Sequence, residues 1–174
     1  MATKKSTGDK SPLPILDGVT LSRTLPPLLP ANFLSRSSLV ESISLQAPGT
    51  TLISGPIGYG KTSLATEIAE RNSGRTFWYT MVDEDSPEKF NAHVIQSVRN
   101  VISDFAPWFT AQSRLDPMEL IVKFSNELSS RQGEYIFIVD NRRTAAAEDF
   151  ARAAQMIRSL PSNLHLVQIR RDVP

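Results

Sequence analysis

The chain has 174 residues, enough for one domain with a hydrophobic core, and its 40% hydrophobic and 21% charged residues are ordinary proportions for a globular protein. A formal net charge of +1 gives no electrostatic case for direct DNA contact, and the lack of cysteine excludes disulfides and thiolate metal sites and fits a reducing compartment. No apolar run approaches the roughly 20 residues that span a bilayer, and Lys4 and Lys5 precede no secretory-type apolar stretch, so a cytoplasmic location without membrane contact is expected.

Residues 1–19, rich in Lys, Ser, Thr, Gly, Asp and Pro, read as a disordered arm, leaving 20–174 as the folded domain. Between Thr20 and Asn32, Pro26, Pro27 and Pro30 forbid a helix and predict an extended segment. A short helix is expected over Phe33–Leu45, capped by Ser35 or Ser37, with Leu39, Ile43 and Leu45 inward. Pro48-Gly49 marks a turn, Thr51–Ser54 a buried strand, and Thr62–Arg71 a helix with Leu64, Ala65, Ile68 and Ala69 on one face.

A second strand is predicted at Thr76–Met81. The helix after it takes Pro87 at its first position, carries Phe90, Val94, Val98, Val101, Ile102 and Phe105 on one face, and runs to Pro107. Asp116 and Glu119 have capping-box spacing ahead of Ile121, Phe124 and Leu128. Tyr135–Val139, apolar on both faces, reads as a central parallel strand; a helix over Ala145–Leu160, stopped by Pro161, and a fourth strand at Leu164–Ile169 complete the pattern. Strands alternating with helices predict an α/β fold with right-handed crossovers.

Between the first strand and its helix lies Gly55-Pro56-Ile57-Gly58-Tyr59-Gly60-Lys61-Thr62, which fits G-x-x-x-x-G-K-[ST]. The glycines let backbone N–H groups turn inward around phosphates, Lys61 reaches the β/γ-phosphates, and the Thr62 hydroxyl suits Mg²⁺. Strand, glycine loop and helix in that order put the phosphates at a helix N-terminus, where anions are favoured. Gly55, Pro56, Gly58, Tyr59, Gly60, Lys61, Thr62 and Ser63 are therefore the expected cofactor-binding residues, with ATP or ADP and Mg²⁺ as cofactors.

Asp140, directly after the apolar strand, stands where a second metal-holding group is needed, so Thr62 and Asp140 are the expected metal residues. Asn141 follows where ATPases of this kind place a second acid; an amide positions water but cannot take its proton, so binding is better supported than hydrolysis. Arg170 and Arg171 follow the fourth strand, at the end of the sheet where ligands bind, and Arg171 is the expected γ-phosphate reader. With Asp140 and Asn141 it makes up the catalytic set. His93, His165, Trp78 and Trp108 read as structural residues.

Several segments together resemble the N-terminal ATPase domain of the MalT-like signal-transduction ATPases with numerous domains, the STAND class, many of which are transcriptional activators with a LuxR-type DNA-binding domain. They are Leu25-Pro26-Pro27 through Ser35-Arg36-Ser37-Ser38-Leu39, the loop from Ile53 to Leu64, Trp78 through Phe90, Ile136 to Asn141, and Pro161 to Pro174, where the family's arginine aligns with Arg171. The resemblance implies a three-layer P-loop NTPase fold with a mostly parallel sheet in the order 1-4-3-2. It also implies a copy truncated at its C-terminus, whose first strand lies at an edge open to a protein partner or self-association. The function it implies is a Mg-dependent ATP/ADP switch, and Asn141, which departs from the family's second acid, argues for weak or no hydrolysis. The alternatives are a non-catalytic interaction module and a small-molecule P-loop kinase. Arg114 alone between Pro107 and Asp116 makes a poor kinase lid, and no Asn-Lys-x-Asp guanine motif is present.

Overall fold

A computed structural model describes residues 12–110, 112–142 and 159–170. Four strands, β1 (Gly49–Ile53), β2 (Thr76–Met81), β3 (Tyr135–Asn141) and β4 (Leu164–Ile169), form an all-parallel sheet in the order β1-β4-β3-β2. The α/β architecture and the strand order are those expected. Helices α1 (Ser37–Ser42), α2 (Lys61–Arg71), α3 (Pro87–Arg99) and α4 (Pro117–Ser129), with a 3₁₀ turn near the N-terminus, complete the described elements. The helix expected over Ala145–Leu160 lies mostly outside the described residues.

Successive strand residues point to opposite faces, so an apolar run buries two sides at once. Phe77, Tyr79, Phe137, Leu164 and Leu166 face a core shared with α3 and α4. Trp78, Ile136, Ile138, Val167 and Ile169 face a second core, built on Leu64, Ala65 and Ile68 of α2. His165 is buried at the β1–β4 junction, its Nε2 2.9 Å from the Thr51 hydroxyl.

The helix starts follow local chemistry. Ser86 caps α3 by accepting from Lys89 N–H at 3.3 Å, with Pro87 in the first turn. Asp116 and Glu119 form a complete capping box on α4. The end of α3 differs from expectation: it stops at Arg99, not near Pro107. The buried Arg99 guanidinium donates to the carbonyls of Phe105, Ala106 and Phe109, holding the following residues in a turn in which Ala106 has φ 53°. Phe105 still reaches the core.

α1 is also shorter than the expected Phe33–Leu45 and has no side-chain cap; Arg36 holds the cap position. The Ser35 hydroxyl is committed to Glu67 at 2.5 Å, and Ser37 accepts from Arg71 at 2.6 Å. The segment expected to be extended opens with a single 3₁₀ turn at Leu21–Arg23, ahead of its prolines.

That turn and the residues before it, which include part of the 1–19 arm, lie against α3 and β2. Leu16 is buried, and its N–H donates to Gln96 Oε1 at 3.0 Å. Thr20 N–H donates to His93 Nε2 at 3.1 Å while His93 Nδ1–H donates to Lys89 O at 2.7 Å. Burial holds the His93 imidazole below its ordinary pKa, against the raising effect of the Lys89 carbonyl. Arg23 stacks over the Tyr79 ring, donates from Nε to Thr80 O at 2.9 Å, and pairs through Nη2 with Asp85 Oδ2. The same Asp85 oxygen accepts from Tyr79 OH at 2.6 Å and Val82 N–H at 3.0 Å. Burial pushes the Asp85 carboxyl up, but hydrogen bonds from Arg23, Tyr79 and Val82, with the Arg23 charge, outweigh it and hold it below its ordinary value.

Candidate functional site

The glycine loop joins the C-terminal end of β1 to the N-terminus of α2. Gly55, Gly58 and Gly60 have φ of 147°, 87° and 74°, and Gly60 caps α2 from the left-handed region. Side chains at these positions would be strained, which is why the turn takes glycine. Pro56, Ile57 and Tyr59 are exposed on the loop's outer side, and Lys61, Thr62 and Ser63 are half-buried in the first turn of α2.

Lys61 folds back over its own loop. Its Nζ donates to Gly55 O at 2.6 Å and Pro56 O at 2.7 Å. A residue of the first turn of α2 then meets one near the end of β3: Thr62 Oγ1 donates to Asp140 Oδ2 at 3.3 Å. Asp140 sits near the end of β3, between Thr80 of β2 and Ile169 of β4, and is buried. Asn141, opposite Met81, is half-buried as the last residue of β3. Arg170 N–H donates to Ile53 O at 2.9 Å, and its guanidinium donates to Gln168 Oε1 at 3.1 Å. Arg171 lies outside the described residues.

The oxygens of Thr62 and Asp140 suit a hard cation. Among the described residues, no group of three His, Cys, Asp or Glu could hold a metal unaided. A cation here would share its coordination with a ligand's oxygens.

Three further residues belong to this neighbourhood. Arg142 donates from Nε to Asp140 Oδ2 at 3.1 Å. Arg36 lies over the glycine loop: Nη1 donates to Tyr59 O at 3.2 Å, and a Cβ on Gly60 would stand 3.0 Å from Nη2. Glu67, buried on α2, ties this arrangement down by accepting from Ser35 Oγ, from Arg36 N–H at 2.9 Å and from Arg71 at 2.8 Å. The bonds from Ser35 and Arg36 hold its carboxyl below the ordinary range, against burial. A cavity of about 450 Å³ opens beside the loop, lined by Pro30, Phe33, Leu34, Arg36, Gly60 and Ser63 among others. Arg36 had a sequence signal, as the arginine of a serine-flanked helix start. Glu67 and Arg142 had none.

No protein-family model matches the chain. It is 26% identical over 130 residues, 71% of its length, to the HTH-type transcriptional regulator MalT of Yersinia enterocolitica serotype O:8 / biotype 1B (strain NCTC 13174 / 8081). The similarity is distant, and the matched region spans 14% of that regulator's length. Among the described residues no helix is long and apolar enough to cross a membrane.

Proposed function

We propose that the chain is a regulatory nucleotide-binding domain that takes ATP or ADP with Mg²⁺ and hydrolyses weakly or not at all. The observation that carries this reading is the meeting of Thr62 and Asp140 beside a glycine loop that ends in lysine. Backbone N–H groups from Ile57 to Gly60 would cradle the phosphates, with Pro56 and Tyr59 forming the loop's outer wall. Lys61 would exchange its two carbonyl partners for phosphate oxygens, and Ser63 would face the α-phosphate. The cavity beside Gly60 and Ser63, with its mostly apolar wall and Arg36 above, would take the nucleoside. Mg²⁺, when bound, supplies charge neutralisation at the phosphates, and Thr62 and Asp140 would hold it. Arg171 would read the terminal phosphate.

Asn141 favours binding over turnover, since its amide orients a water without accepting its proton. The same residue favours a second reading, a non-catalytic interaction module that keeps the fold alone. In the first reading the chain works in the cytoplasm as the switch segment of a signalling or transcription-regulating protein, as the name of its distant relative suggests. A protein partner or a second copy would meet the open edge of the sheet, and any DNA contact would belong to regions the match does not span.

Calorimetric titration with ATP and ADP in Mg²⁺, beside Lys61→Ala, tests the proposal. Micromolar binding that falls about a hundredfold in the variant, near 3 kcal/mol, supports it. A folded chain that takes neither nucleotide sinks it in favour of the interaction module.

A further inference from the structure

We infer that Arg142 is a built-in competitor for the metal position, holding Asp140 until a cation displaces it; this rests on the nucleotide and Mg²⁺ reading above. The Asp140 side chain is 4% exposed. A carboxylate so placed needs a counter-charge or a donor, because burying it bare costs several kcal/mol. Among the described residues two donors supply this need and converge on one oxygen: Arg142 Nε at 3.1 Å and Thr62 Oγ1 at 3.3 Å meet Oδ2. A cation bridging Thr62 and Asp140 would occupy the space between those oxygens, with its charge beside the guanidinium. Two positive groups on one carboxylate oxygen repel, so Mg²⁺ and Arg142 compete for it.

Arg142 is suited to leave. Its side chain is 44% exposed and reaches Asp140 from only two residues away, so release needs a rotation into solvent and no backbone movement. Strand β3 ends at Asn141, and Arg142 N–H donates to Met81 O at 3.0 Å, which anchors the backbone while the side chain turns. The carboxylate thus has a counter-charge in the absence of metal, and a Mg²⁺ ion binds against that ion pair. The physical consequence is a raised Mg²⁺ requirement for nucleotide binding, set by a single side chain outside the phosphate loop.

The test is ATP affinity by calorimetry at a series of free Mg²⁺ concentrations, for the unmodified chain, Arg142→Ala and Arg142→Gln. The glutamine keeps a hydrogen-bond donor without the charge, and serves if the alanine variant fails to fold. The Mg²⁺ concentration giving half of the full gain in affinity should fall about five- to tenfold in both variants, the equivalent of losing one partly screened ion pair. A midpoint that stays put, or rises, overturns the competitor role while leaving nucleotide binding intact. If the unmodified chain is folded by circular dichroism and takes ATP at no Mg²⁺ concentration, the nucleotide reading falls and this inference with it.

Discussion

Two arginines meet two buried aspartates at the same end of this sheet, and they do so in opposite ways. Asp85, just past β2, receives Arg23, the Tyr79 hydroxyl and Val82 N–H on one oxygen, with Arg23 held in turn by Thr80 O and the Tyr79 ring. Asp140, on neighbouring β3, receives one arginine nitrogen and one hydroxyl among the described residues, each at more than 3 Å. The first arginine comes from a segment 62 residues away and is 19% exposed; the second comes from the next turn of chain and is 44% exposed. A pair built from distant segments, with each partner bonded elsewhere, fastens the fold. A pair built locally, with one partner half in water, leaves a carboxylate open to exchange. The same two residue types make a fastener in one place and a candidate ligand site in the other.

Substitution of the two aspartates would break this contrast most directly. Asp85→Asn should cost about 3–5 kcal/mol in urea denaturation, the range for removing one partner of a buried pair. The new amide nitrogen would take the place of an oxygen, Oδ1, that is buried and has no partner among the described residues. A loss below about 1 kcal/mol would show that the Arg23 pair is no fastener.

A smaller effect lies in the pH dependence of the same N-terminal clasp. His93 is held below its ordinary value of 6.5, so the unfolded chain binds its proton more readily than the folded one. Its contribution is therefore complete above about pH 6.5 and is lost as pH falls from there through the folded value. Asp85, depressed from an ordinary 3.8, keeps its contribution until far lower pH and loses it as pH falls through its folded value. Melting temperature should accordingly decline from pH 7 to pH 5 in the unmodified chain and stay flatter in His93→Gln, whose amide oxygen can still accept from Thr20. Equal slopes would exclude His93 as the source.

Smallest in stability is Asp140→Asn, expected within about 1 kcal/mol of the unmodified chain, because it removes a desolvated charge along with a half-exposed ion pair. Its effect should appear instead as loss of the Mg²⁺ dependence of nucleotide binding. A destabilisation matching that of Asp85→Asn would erase the distinction between the two pairs.

The parts of this fold that the sequence discloses are those set by neighbours along the chain. The limits of β2 and β4, the cap at Ser86 and the capping box at Asp116 all depend on residues within a few positions of one another. The end of α3 does not: Arg99 turns back to carbonyls that lie beyond the helix, and an apolar stripe running on to Phe105 hides that stop. In the candidate site, the glycine loop and Asp140 stand out because strand ends and glycine spacing are local patterns. Glu67 reads as one more charge on a helix, and only the folded chain brings Ser35 and Arg36 to it. Arg142 resembles any basic residue in a turn until the sheet places Thr62 across from Asp140.

The 3₁₀ turn at Leu21–Arg23 has a consequence for assembly. By occupying the Thr80 carbonyl it covers part of the outer side of β2, while β1, at the other margin, has β4 as its sole strand neighbour among the described residues. Among the described residues the two flanks of the sheet therefore differ, the β2 side partly covered and the β1 side carrying no second strand. A strand approaching β2 from outside would have to displace Arg23 from the Thr80 carbonyl before it could pair there.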